Sequence, residues 1–203
     1  MSAFLGPIHY WLYNKIRLQQ EIVAGLFLLG EKAGISLEAE CRRLYGSFEM
    51  RPLEDIIDQT NIHGWLQERV SQVEYQYAYS ITKLLQADPA LASRLKDLHR
   101  SFGVRLALTL KESSPKATDI FRAISDNLLD GMPCDHANRI LEQADDKVNW
   151  ERQVCVHSQY WEEVGGDVKS YYELRDAWLE GLVEELSFSL ERPNENTYCI
   201  KRV

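Results

Sequence analysis

The sequence lacks the signatures that most often disclose a function. It has no basic tract: its 203 residues carry 23 Lys and Arg against 31 Asp and Glu, a formal net charge of -8. A phosphate backbone requires a positive footprint, so no nucleic-acid partner is expected. Its four cysteines, Cys41, Cys134, Cys155 and Cys199, form no Cys-x-x-Cys pair. That usage fits reduced thiols and a cytoplasmic location better than a disulfide framework. There is no Gly-x-Ser-x-Gly elbow, no glycine-rich phosphate loop and no His-Glu-x-x-His helix. No repeat, low-complexity tract or long linker divides the chain, so 1–203 is expected to be a single domain, helical over 1–131 and strand-rich over 132–203. One apolar run, Ile22 to Gly30, follows Lys15 and Arg17 as a signal core does. It is too short to span a bilayer, and Gln19, Gln20 and Glu21 intervene, so neither a leader nor a membrane anchor is expected.

What is present is a globular composition, 45% hydrophobic and 27% charged, in a chain long enough to bury a core. Helical spacing runs through Ile8, Leu12, Ile16, Val23, Leu26 and Phe27, between Pro7 at a first turn and Gly34 at a stop. Ser36 is placed to cap a second helix reaching Phe48, and Pro52 opens a short one to about Asp58. Asn61 caps a long helix carrying Trp65, Val73, Tyr77, Ile81 and Leu84. Asp88-Pro89 reads as the start of an amphipathic helix with Leu91, Leu95, Leu98, Phe102, Leu106 and Leu110 facing a core. Ser114-Pro115 begins another, with Ile120, Ile124 and Leu128, stopping at Gly131.

Beyond Gly131 the period changes. Val148, Trp150, Val154 and Val156 share one parity and Asn149, Glu151 and Gln153 the other, which is a half-buried strand. Asn138 to Ala144 pairs back across a turn at Asp145-Asp146, although Ala137, Ile140, Leu141 and Ala144 also allow a helix from Asp135. A short helix from Ser158 to Gly165-Gly166 and a longer one after Asp167, bearing Tyr171, Leu174, Trp178, Leu182 and Leu186, follow. Gly181 inside the latter costs stability unless a neighbour packs closely. Ser187 to Arg192 and Thr197 to Val203 complete the strands. The expected class is α+β: a helical N-terminal layer followed by a small antiparallel four-stranded sheet in ββαββ order.

That succession resembles the superfamily of vinyl-reductase domains, haem nitric-oxide-binding domains and Golgi-transport subunits of tethering complexes. Val154-Cys-Val-His157, Tyr171 to Leu186, Phe188-Ser-Leu-Glu-Arg192 and Tyr198-Cys-Ile200 also resemble the C-terminal part of amino-thiazoline-carboxylate hydrolase relatives. The resemblance covers about a third of the chain and bears on fold more than on function. It implies a pocket between helices and sheet for a small molecule, a haem or an acyl chain, and a homodimer. The haem family's Tyr-x-Ser-x-Arg signature and a cysteine-rich vinyl-reductase pattern are both missing, so haem is the weaker of the implied cofactors.

Cys134-Asp-His136 and Cys155-Val-His157 are two copies of Cys-x-His. Alternate residues of a strand share a face. With Ala144 opposite Lys147, the same register sets His136 against Cys155 and Cys134 against His157, on the face opposite Val148 and Trp150. Two thiolates and two imidazoles suit zinc, so Cys134, His136, Cys155 and His157 form a candidate metal set. Cys-x-His departs from the usual zinc spacing, the strands would be long, and a one-residue slip would scatter the four. Cysteine is also commonly a small buried apolar group.

His9, beside Tyr10, Trp11 and Tyr13, belongs either to a pocket wall or to core. His63 and Glu74 share a helical stripe, as do His9 and Glu21, but each pair is about 16–18 Å apart and shares no ion. His63, His99 and His157 loosely imitate the three-histidine site of the DinB-like bundles, which the C-terminal strands contradict. His99 reads as a surface or boundary residue. Tyr75, Tyr77, Tyr79, Trp161, Tyr171 and Tyr172 line a cavity or pack a core. The expected function is a small-molecule- or metal-binding protein whose ligand meets His9, Trp11, Cys134, Cys155 and His157. The alternatives are a cysteine-dependent hydrolase, with Cys134 or Cys155 as nucleophile and His157 as base, and a non-catalytic scaffold or partner-binding subunit. Exposed aromatics near Tyr10 and Trp11 suggest that the first helix is a self-association face.

Overall fold

Pro7 opens a helix where its fixed φ and missing N–H do no harm, and Gly34, at φ 75°, ends it where a side chain would be strained. The computed structural model describes residues 4–203, and α1 runs Pro7–Lys32. It is followed by α2 Glu38–Tyr45 and α3 Leu53–Ile56. α4, Ile62–Ala87, is capped as the sequence requires: the Asn61 side chain accepts from the Gly64 N–H at 3.1 Å. Ser36 does not cap α2, which begins two residues later. Asp88 ends α4 rather than starting the next helix, its N–H donating to the Leu84 carbonyl at 2.9 Å. α5 then runs Leu91–Leu110 and α6 Ala117–Asn127. β1 Asn138–Gln143, β2 Lys147–Arg152, α7 Ser158–Glu163, α8 Val168–Glu184, β3 Phe188–Glu191 and β4 Thr197–Arg202 complete the chain. The class is α+β, helices first and a four-stranded antiparallel sheet after, with two helices between the strand pairs.

The chain divides into two compact units, each assembled from separate stretches of sequence. One unit takes the chain to Pro89 with Asn127–Cys134 and His157–Asp167. The other takes Ala90–Asp126, Asp135–Val156 and Val168–Val203.

In the first unit, α1 and α4 bury facing stripes. Leu12, Ile16, Val23 and Leu26 belong to one helix and Leu66, Val70, Val73, Tyr77 and Ile81 to the other. Short α7 gains its place by packing, not propensity. Tyr160 meets the Tyr75 ring edge-on at 4.8 Å, and Trp161 meets Tyr77 at 6.2 Å. No helix of the described residues is long and apolar enough to cross a membrane.

In the second unit the sheet order is β1-β2-β4-β3. Val148 pairs with Ile200 and Trp150 with Tyr198, all buried. The Trp150 ring stacks on Tyr198 at 5.1 Å and meets Phe121 of α6 at 5.2 Å. α5 and α8 lie backbone to backbone. A Cβ on Gly103 would stand 2.0 Å from the Trp178 carbonyl oxygen, and one on Gly181 would stand 2.3 Å from that of Arg100. Gly181 thus has the close neighbour its helical position demanded. This contact also corrects the expected seam of α5. The buried residues are Leu91, Leu95, His99, Gly103 and Ala107, while Leu98, Phe102, Leu106 and Leu110 are only half-buried. Small residues let α8 approach, and the seam follows them.

The hairpin forms, and its register contains one irregularity. Ala144 N–H donates to the Lys147 carbonyl at 2.7 Å across Asp145-Asp146, as expected. Gln143 then opposes Val148 and Glu142 opposes Asn149, but a bulge at Leu141 shifts the ladder, so Ile140 opposes Trp150.

Candidate functional site

The bulge removes the zinc set expected from the sequence. It imposes the one-residue slip that breaks the pairing of His136 with Cys155, and the ladder ends before either is reached. Gln153 N–H donates to the Ala137 carbonyl at 2.8 Å, and His136 turns away with φ 47°. Cys134 is exposed in a 3₁₀ turn, Pro133–Asp135, and His157 precedes α7. Among the described residues no group of three or more His, Cys, Asp and Glu side chains is arranged to hold a metal ion. That finding also covers the three-histidine alternative. His99, expected at the surface or its boundary, is 2% exposed with Nδ1 at 2.7 Å from the Leu95 carbonyl, and burial pushes it down to about 4. His9 is buried, its Nδ1 accepting from the Gly6 N–H at 2.9 Å, with its ring 5.7 Å from that of exposed His63.

His157 has partners that its sequence neighbours did not suggest. Its Nδ1 lies 3.1 Å from Glu74 Oε2 of α4, and its Nε2 lies 3.7 Å from Asp130 Oδ1, within ion-pair distance. Burial of the ring opposes its charge, yet the Glu74 and Asp130 carboxylates outweigh burial and push His157 up to about 9. An imidazolium held this way has no lone pair for taking a proton at neutral pH, which is the task a cysteine hydrolase gives its base. Glu74 is 1% exposed, and its Oε1 has no hydrogen-bond partner among the described residues.

The tyrosines flagged in the sequence are mostly packing. Tyr77 and Tyr79 are buried, Tyr75 stacks on Tyr45 at 5.3 Å, and the Tyr75 hydroxyl donates to Glu163 Oε2 at 2.5 Å. That bond to a carboxylate is the main reason Tyr75 is pushed up to about 12. In the second unit the Tyr172 hydroxyl donates to the Cys155 sulfur at 3.0 Å, beneath an Arg152 guanidinium 3.7 Å from the ring.

A cavity of about 350 Å³ opens in the first unit, between the loop after α2, α3 and the start of α4. Phe48, Trp65, Arg51 and Arg69 give it an aromatic and cationic lining, with Glu49 and Asp55 as its acids. α1 supplies the backing. The Tyr13 ring lies 6.1 Å from Trp65 and 6.2 Å from Phe48, and its hydroxyl donates to the Arg51 carbonyl at 2.7 Å. Gln72 of α4 holds the rim by donating to the Tyr45 carbonyl at 2.9 Å, and Gln76 by donating to that of Gly46 at 2.6 Å. Arg69 stands 5.4 Å from the Trp65 ring, and its Nε is buried without a partner. None of His9, Trp11, Cys134, Cys155 and His157, the ligand residues expected from the sequence, lines this cavity. Phe48, Trp65 and Arg69 carried no motif and were not legible as a site. The Trp11 ring itself holds the Lys15 ammonium at 4.1 Å.

No family model matches the chain, and no curated protein or solved structure matches it either.

Proposed function

We propose that this is a small-molecule-binding protein, and that its ligand is a flat, partly apolar acid held in the Phe48–Trp65–Arg69 cavity. The observation that carries the reading is the buried, unpartnered Arg69 Nε beside the Trp65 face, in a cavity of about 350 Å³. A planar guanidinium presents paired donors to a carboxylate, and an aromatic wall accepts a flat apolar body. Tyr13, Gln72 and Gln76 fix the walls from α1 and α4, so the site has rigid support. Metal binding at the cysteines and histidines has no such support.

Free cysteines at all four positions support a cytoplasmic setting. The likeness to the vinyl-reductase and haem nitric-oxide-binding superfamily is a proposal about fold. What supports it is the order of helices, strand pair, helices, strand pair. The homodimer is likewise a proposal, supported by Phe4, Ile8 and Tyr10 exposed at one end of α1.

The test uses indole-3-acetate and benzoate as probes, with their uncharged amides as controls, observed by backbone NMR. The acids are expected to shift Phe48, Trp65 and Arg69 saturably and the amides to do so weakly. Arg69→Ala should remove the difference between acid and amide. Shifts scattered away from the cavity, or equal for acid and amide, would overturn the reading.

A further inference from the structure

The second unit gathers positive charge where nothing described so far uses it. Arg152 ends β2 and Arg192 follows β3, and both reach into the turn that joins β3 to β4. Arg192 Nη2 donates to the Glu195 carbonyl at 2.6 Å, and Arg152 Nη2 lies 3.5 Å from the same oxygen. Two guanidinium groups therefore converge on one neutral carbonyl. Arg152 Nη2 also donates to the Asn196 side-chain oxygen, and Arg192 Nη1 to the Asp176 carboxylate.

Packing holds the pair in place. Arg152 lies over the Tyr172 ring at 3.7 Å and Arg192 over the Tyr198 ring at 4.5 Å, with Tyr198 stacked on Trp150. The turn is pinned by Asn194 Oδ1, which accepts from the N–H groups of Asn196 and Thr197 at 2.9 Å each. Arg152 N–H donates to the Asn196 carbonyl at 2.8 Å, tying the turn to β2. The Tyr172 hydroxyl donates to Cys155 and also lies within hydrogen-bonding reach of Arg152.

Several polar atoms of this cluster are left over. Arg152 Nη1, Arg192 Nε and the Tyr198 hydroxyl are buried without a partner, and Tyr198 is 1% exposed. Asp176 Oδ1 is also unpartnered. Native proteins leave few such groups unsatisfied, and two adjacent guanidinium charges against one carboxylate leave an excess of positive charge in a chain of net charge -8. Arg175 adds another cation within electrostatic reach of Tyr198. The three orphan donors ask for an oxyanion, and the orphan acceptor on Asp176 asks for a hydroxyl on that same ligand.

We infer that Arg152, Arg192 and Tyr198 form a binding site for a small oxyanion bearing its own O–H, of the hydrogenphosphate class. Arg152 Nη1 and Arg192 Nε donate to its oxygens, Tyr198 donates a third hydrogen bond, and Asp176 Oδ1 accepts from its hydroxyl. The site shares no residue with the Trp65 cavity, so either assignment survives failure of the other.

The probes are inorganic phosphate, methyl phosphate and sulfate at matched ionic strength, with chloride as the blank. Inorganic phosphate is expected to raise the thermal midpoint saturably and to shift the backbone amides of Arg152, Arg192 and residues 195–198. Sulfate, which lacks a proton at neutral pH, and methyl phosphate, whose second pKa of about 6 leaves it mostly without one, are both expected to bind more weakly than inorganic phosphate. Arg152→Gln and Arg192→Gln should each weaken phosphate at least about tenfold, the loss expected of a charge-assisted pair. Arg139→Gln, on exposed β1, should leave binding unchanged. Should a variant fail to fold, the wild-type amide shifts alone decide. A response to phosphate no greater than to chloride, or shifts absent from this turn, would overturn the inference.

Discussion

Glu74 and His157, 83 residues apart in sequence, meet at 3.1 Å with both side chains only 2% exposed. The contact ties α7 to the middle of α4 by charge as well as by the Tyr160 and Trp161 rings. Because the folded imidazole titrates near 9 against 6.5 for the free side chain, its stabilisation is fully present below about pH 6.5. It is lost as pH rises through about 9, and at full strength it is on the order of 3 kcal/mol. Urea denaturation from pH 6 to 10 should show stability falling across that window. His157→Gln should flatten the alkaline limb, and an unchanged limb in that variant would contradict the assignment.

His99 carries the opposite sign in the other unit. Burial holds it near 4, so the folded state resists the proton that the unfolded chain accepts. Its contribution is present above about pH 6.5 and is lost as pH falls through about 4. His99→Gln, which keeps a polar group near the Leu95 carbonyl, should flatten the acid limb of the same experiment. The alkaline limb should be untouched.

The backbone contact between α5 and α8 leaves no room for a methyl group. Gly103→Ala should destabilise the protein by about 3 kcal/mol or more, since overpacking a rigid seam costs that much. Gly181→Ala should behave alike, because the Arg100 carbonyl stands where its Cβ would go. Ala107→Gly on the same seam removes a buried methyl instead, and should cost about 1–2 kcal/mol from lost helix propensity and lost packing together. Thermal unfolding monitored by circular dichroism distinguishes the two cases.

Much of this fold was legible because local rules and burial agreed. α1 and α4 carry long apolar stripes with Pro7, Gly34 and Asn61 at their ends, and Val148 and Trp150 alternate as expected, although β2 stops at Arg152 and leaves Val154 exposed and Val156 outside the strand. Asp88 misled because an aspartate before proline suits a helix start, whereas α4 reached far enough to use it as an end. His99 misled because a polar residue between Leu98 and Arg100 reads as surface, and only the glycine seam shows which side faces inward. The partners of His157 were invisible for a different reason: Glu74 and Asp130 arrive from distant segments, and no spacing rule joins them. The Arg152–Arg192 pair likewise exists only once β2 and the final turn are adjacent.

Thiol reactivity should follow exposure. Cys134 is exposed, Cys155 is half-buried against Tyr172, and Cys41 and Cys199 are buried. Burial pushes Cys41 up to about 11 and raises Cys199. An aromatic disulfide reagent at pH 8 should therefore titrate one thiol quickly and a second slowly, with two released only by denaturant. Cys134→Ser should abolish the fast phase. A fast phase surviving that change would move the reactive thiol to Cys155.

Trp11 is half-buried beside exposed Ile8 and Tyr10, with the Lys15 ammonium over its ring. If this face meets its own copy, Trp11→Glu should yield a folded monomer in light scattering while the wild type is a dimer. A wild type that is monomeric at high micromolar concentration ends the dimer proposal.

The bulge at Leu141 also affects how the chain behaves in company. β1 is an outer strand with Ile140 and Leu141 about half exposed, the sort of edge on which a second chain readily lays another strand. An extra residue there interrupts the regular spacing of N–H and C=O groups, and Arg139 and Glu142 flank the interruption with charge. The sheet is thereby protected from growing outward by aggregation. Deleting Leu141 would restore an even ladder and remove that protection.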